Sequence, residues 1–138
     1  MTDTTIDSTA VLTAQPTTES EVLGTWHLSS IDNTFEKPLY AEVLQIFMPH
    51  GSLVAISPGA PSTTLGAWRL DEDGVIKTKW FEFDFDQNVK FAYRLEGTVS
   101  ATVEGDTMKG TFTYDQTDPD GGFMFTGHGT IEGKRLSV

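Results

Sequence analysis

Two carboxylates stand two residues apart, Glu82 and Asp84, and Trp80 precedes them at the same spacing. On a β-strand, side chains at i and i+2 share a face, so all three would point the same way. Turned into an apolar enclosure, the pair would raise each other's pKa and supply a general acid and a general base. The opposite row is mixed, because Lys77 and Lys79 fall in line with Phe81, Phe83 and Phe85. Either a β-bulge near 79–81 swaps the faces, or one row carries both wet and buried side chains. Carboxylates in solvent with three phenylalanines inward is the cheaper arrangement, since a buried unpaired carboxylate is costly. Two phenols complete the polar candidates, so Glu82, Tyr93 and Tyr114 are the groups able to polarise or protonate a bound molecule. Around them Tyr40, Trp68, Trp80, Phe91, Leu95, Met108, Phe112, Phe123 and Phe125 are the candidate ligand-binding residues.

Other chemistries find little purchase. The chain has no cysteine, which removes disulfides, thiolate nucleophiles and cysteine-held metals together. His27, His50 and His128 are scattered without metal-ligand spacing, and the run Asp115, Asp118, Asp120, Gly121 reads as a turn, since it lacks the spacing and terminal glutamate of an EF-hand. With no phosphate loop, nucleophile elbow or Ser-His-Asp arrangement, neither a metal nor a cofactor is expected. Nine basic against 20 acidic residues give a formal charge of −11, which disfavours nucleic acid and anionic membrane surfaces as partners. No long apolar run and no secretory leader are visible, so the expected compartment is the cytoplasm.

The elements that would position these groups are strands. Across 89–103, Val89, Phe91, Tyr93, Leu95, Val99, Ala101 and Val103 alternate with polar residues, the pattern of a long strand wetted on one side. Seven further strands are predicted at about 22–31, 41–48, 52–57, 64–70, 75–85, 107–117 and 123–135, bounded by Pro49-His50-Gly51, Pro58-Gly59, Asp71-Glu72-Asp73-Gly74, Gly105-Asp106 and Asp118-Pro119-Asp120-Gly121-Gly122. Proline removes a ladder donor and glycine permits positive φ, so such clusters end strands. Short connections make sequential neighbours pair, and a long meander escapes its edges by closing. The expected fold is therefore all-β, a single closed antiparallel up-and-down barrel of about eight strands, whose interior either fills with side chains or holds one small ligand. Residues 21–138 form this domain, and 1–20, rich in Thr, Ser, Asp and Glu, reads as a disordered leader, with Val11 and Leu12 as the alternative of a lid.

Gly24-Thr25-Trp26 on the first long strand, with Arg135 on the last, resembles the signature of the calycin superfamily of lipocalins, fatty-acid-binding proteins and avidins. That resemblance implies that Trp26 closes one end of the barrel and Arg135 packs across its ring. Leu65-Gly66-Ala67-Trp68, Phe81, Phe83, Asp84, Gly97, Gly105-Asp106, Gly110, Asp120-Gly121 and Gly127 further resemble small lipocalin-like proteins frequent in bacteria. The signal, disulfide and C-terminal helix of secreted lipocalins are missing from the pattern, which argues against extracellular transport.

Two functions follow as expectations. In one, the lumen binds a bulky apolar small molecule, polyketide- or polyene-like, and promotes its cofactor-free cyclisation or isomerisation, as spirotetronate and allene oxide cyclases of similar build do; an apolar cavity orders the chain and one or two donors polarise a carbonyl. In the other, the barrel is a non-catalytic carrier of a hydrophobic metabolite. A homodimer is possible through Phe81, Phe83 and Phe85 if that row faces outward.

Overall fold

The computed structural model describes residues 17–58 and 63–138. A single helical turn, α1 (Glu19–Val22), leads into eight strands: β1 (Gly24–Asp32), β2 (Leu39–Met48), β3 (Ser52–Ile56), β4 (Thr64–Leu70), β5 (Ile76–Phe85), β6 (Phe91–Glu104), β7 (Thr107–Thr117) and β8 (Phe123–Arg135). Each strand pairs antiparallel with its sequence neighbour and β8 returns to β1, with Arg135 opposite Trp26, so the sheet is a closed up-and-down barrel. The expected fold class is the one observed. Most of the expected leader, including Val11 and Leu12, lies outside the described residues, but its last part is built in: α1 carries a capping box from Thr18 to Glu21.

Aspartates make the turns. Asp71, Asp86 and Asp118 each turn a carboxylate oxygen back onto the amides two and four residues ahead, Asp73 and Val75, Asn88 and Lys90, Asp120 and Gly122. Such side-chain-to-backbone bonds mimic a backbone turn, and they account for the calcium-like spacing around Asp118. Among the described residues no group of three or more His, Asp or Glu is arranged to hold a metal ion. The Asp86 turn also starts β6 two residues later than the alternation suggests, with Val89 in a left-handed conformation (φ 61°).

The core lies toward one end. Val22, Trp26, Leu28, Phe47, Leu53, Trp68, Ile76, Met108 and Ile131 form one buried cluster. Trp26 is wholly buried; its indole N–H donates to the Val22 carbonyl at 2.9 Å and the Arg135 guanidinium lies 4.4 Å from its ring centroid. Arg135 also donates to the carbonyls of Leu23 and Glu21 and to Asp106. One cation thus ties α1, the start of β1 and the β6–β7 turn together beneath the floor.

Face parity decides the rest. The β4–β5 register runs without interruption from Ile76 to Phe81 and the β5–β6 register from Ile76 to Asp84, so there is no bulge at 79–81. Thr78, Trp80, Glu82 and Asp84 point inward, and Lys77, Lys79, Phe81 and Phe83 form one mixed outer row. The expectation of three inward phenylalanines is overturned for Phe81 and Phe83, while Phe85, at the register shift that ends β5, borders the lumen. Arg94, opposite Phe83 on β6, lies 5.7, 5.6 and 5.6 Å from the centroids of Phe81, Phe83 and Phe91, and the rings meet one another edge-on. A planar cation over several ring faces lets aromatic side chains sit outside at reduced cost.

Candidate functional site

Opposite the floor, Asp32, Asp84, Tyr93, Gln116 and Phe125 near the strand ends surround the mouth of a lumen. It has two connected chambers. The deeper one, about 170 Å³, is walled mainly by Leu28, Val43, Leu53, Ala55, Val99 and Ile131. The outer one, about 550 Å³, is bounded by Asp32, Phe35, Leu39, Asp84, Phe85, Tyr93, Tyr114, Gln116 and Phe125. Six residues line both: Ser30, Ser57, Trp80, Glu82, Leu95 and Phe112. The outer chamber alone is within the range of about 300–1,000 Å³ usual for ligand sites.

Glycines set the rings that shape this space. Trp80 faces Gly97 across β5–β6, Tyr114 faces Gly127 and Phe112 faces Gly129 across β7–β8. A Cβ on Gly97 would stand 2.2 Å from the Trp80 ring, one on Gly127 2.1 Å from Tyr114, and one on Gly129 2.4 Å from Phe112. Each ring therefore lies down across a bare stretch of backbone, a pairing that also restores packing to a glycine in a strand. The outcome is a continuous aromatic wall in which Tyr114 stacks on Phe112 (6.1 Å), tilts against Trp80 (6.4 Å) and meets Phe125 edge-on.

Three carboxylates open into the outer chamber. Glu82 stands where the chambers join and accepts a hydrogen bond from Thr64 Oγ1 at 2.5 Å. Burial, reinforced by a hydrogen bond to Asp84 and by that neighbour's charge, pushes its pKa up to about 7. Two carboxyl groups can hydrogen-bond only when one holds a proton, so this contact belongs to the protonated form of the pair. Tyr93, opposite Asp84 in the ladder, has its phenol pKa raised by burial and then by the charges of Asp84 and Glu82. Tyr114 is engaged differently. Its hydroxyl donates to Asp32, whose other oxygen takes hydrogen bonds from the Thr34 amide and hydroxyl, and burial followed by the Asp32 bond pushes the phenol up to about 12. Its proton is committed to Asp32, leaving Tyr114 an acceptor toward the lumen.

No protein-family model matches the chain, and none of the curated proteins is similar to it in sequence.

The structure brings together Glu82, Tyr93, Tyr114, Trp80, Leu95, Phe112 and Phe125 at the two chambers. It places five other candidates elsewhere. Tyr40 is 75 % exposed, because the inward residues of β2 are Ala41, Val43 and Gln45 and it has the opposite parity. Phe91 and Phe123 precede register shifts, one at Asp84/Phe85 and one at Gln116/Thr117. An extra residue there reverses the face; Phe91 joins the Arg94 cluster and Phe123 is exposed. Trp68 and Met108 point inward but belong to the floor: Trp68 meets Phe47 at 5.6 Å and donates to the Met48 carbonyl, and Met108 is wholly buried. Asp32, Thr64 and Phe35 were not anticipated. Asp32 reads as a polar connection in the sequence, and only its position at the last inward place of β1 could have flagged it.

Proposed function

We propose that the barrel takes a bulky, largely apolar small molecule, polyketide- or polyene-like, into its lumen and promotes cyclisation or isomerisation without a cofactor. The observation that carries this reading is the place of the Glu82 carboxyl group, hydrogen-bonded by Thr64 at the junction of an apolar inner chamber and an aromatic outer one, where burial raises its pKa. In such a site the inner chamber holds one end of the chain, Trp80, Phe112 and Phe125 fold the remainder, and the Glu82 O–H donates to a carbonyl oxygen of the ligand as electron density moves onto it. Holding reacting ends together converts a rare encounter into a standing one, and a donor fixed in a water-poor site stabilises developing negative charge more than water would. The proton returns to the pair when the carbonyl is released, so no co-reactant is consumed. The Trp26–Arg135 floor supports a calycin-like lineage for the barrel.

A carrier without turnover is the second reading, favoured by the commitment of the Tyr114 proton to Asp32. Incubation of the protein with a small-molecule extract of its source organism, followed by mass spectrometry, separates the two. Conversion of one compound into an isomer of equal mass, lost in Glu82→Gln while binding persists, is the expected result. Recovery of a bound compound unchanged would leave the carrier, and the absence of any adduct would dismiss both.

A further inference from the structure

Resting on the lumen as a ligand site, we infer that it selects an uncharged ligand bearing a hydrogen-bond-accepting oxygen, such as a ketone, lactone or ester, and rejects the corresponding carboxylate. Among the described residues, no lysine, arginine or histidine lines either chamber. Three carboxyl-bearing side chains do: Asp32 from β1, with Glu82 and Asp84 from β5. The groups facing them from the adjoining strands are phenols, Tyr93 on β6 and Tyr114 on β7, together with the Thr64 hydroxyl on β4. An anionic head would thus meet like charge at short range with no counter-ion, in a low-dielectric space and on a protein of formal charge −11.

A carbonyl oxygen meets something else. Glu82 stands at the height where the chambers join and, in its protonated form, is a donor once its O–H turns from Asp84 to the ligand, and the 170 Å³ beneath it is close to the roughly 150 Å³ apolar cavity that takes up benzene. The ligand is thereby oriented with its hydrocarbon end toward the floor and its acceptor oxygen at Glu82. A cationic head is not repelled by the lining, but it finds Asp32 already taken up by Thr34 and Tyr114 and Glu82 by Thr64, so it gains less than the open charge would give.

Three polarity-sensitive fluorescent probes with one naphthyl ketone body test this: 6-propionyl-2-dimethylaminonaphthalene, the same ketone with its acyl chain ending in a carboxylate, and the same ending in a trimethylammonium group. Each is titrated into the full-length protein at pH 6.5 and at pH 8.5. The neutral ketone should bind with a blue-shifted emission, and the carboxylate about 100-fold or more weakly, the scale at which a like-charge juxtaposition operates. Above pH 7 that ratio should widen, and Glu82→Gln with Asp84→Asn should narrow it at least tenfold. Equal or tighter binding of the carboxylate would overturn the inference, as would the ammonium probe binding tighter than the ketone. If none of the three binds, the lumen itself fails as a ligand site and the inference falls with it. Absence of turnover in the parent protein with the neutral selectivity intact would instead count against the catalytic reading alone.

Discussion

The floor and the mouth are opposite ends of the same eight strands, yet they use aromatic side chains in contrary ways. At the floor, Trp26, Phe47 and Trp68 interlock with aliphatic side chains, every indole N–H has a backbone acceptor, and the one cation lies flat against a ring. At the mouth, Trp80, Phe112 and Tyr114 are laid sideways over glycines, leaving the space beside them open. The floor is optimised for closure; the mouth has open volume, three carboxyl groups and a raised pKa. That division is the signature expected where function is carried at the cost of stability.

Breaking the floor should have the largest effect. Trp26→Ala removes a wholly buried indole and its bond to Val22, and is expected to cost about 3–5 kcal/mol, read as a collapse of the chemical denaturation midpoint. At the mouth, Gly97→Ala forces a methyl against Trp80; overpacking of this kind costs about 1–3 kcal/mol, and the tilted ring should enter the outer chamber and abolish binding of the naphthyl ketone. A fall in stability without any change in binding would show that the glycine serves curvature alone.

Glu82→Gln should move in the other direction. The folded-state pKa of about 7 lies above the ordinary 4.5, so the Glu82 contribution to stability is fully present below pH 4.5 and is lost as pH rises through 7. The amide variant should therefore be more stable than the parent at pH 8.5 by about 1–2 kcal/mol, the pKa difference discounted for partial solvent access, and indistinguishable at pH 4. Calorimetric melting at the two pH values decides this. Tyr114→Phe removes one hydrogen bond from Asp32, which keeps two from Thr34, and should cost about 1 kcal/mol. Smallest of all, Tyr40→Ser on the outer surface should stay within about 0.5 kcal/mol and leave probe binding unchanged.

Strand number, pairing order and closure are legible in the chain because turn chemistry and alternation act locally. Asp71, Asp86 and Asp118 mark three of the connections by residue type alone. Parity along β7 likewise puts Phe112 and Tyr114 inside. What escapes such reading is anything set by a neighbouring strand. Phe81 and Phe83 are expected inside because their best outer partner, Arg94, faces them only through the β5–β6 register. Phe91 and Phe123 are misplaced because single-residue shifts at two mouth-side strand ends reverse their direction, and no residue type announces those shifts. Trp68 and Met108 have the right parity and the wrong depth, since alternation fixes a face and says nothing of height along the barrel. Asp32 becomes part of the site only when closure brings β1 to within reach of Tyr114 on β7.

Both the proposed chemistry and the neutral selectivity require Glu82 to hold a proton where it faces the ligand space, and a ¹³C-carboxyl NMR titration of that side chain, with and without the neutral naphthyl ketone, tests this most directly. The predicted result is a midpoint near pH 7 in the free protein that moves higher when the ketone is bound, because a ligand accepting the acid proton and excluding water favours the protonated form. A midpoint in the ordinary carboxylate range, unmoved by the ketone, would contradict it.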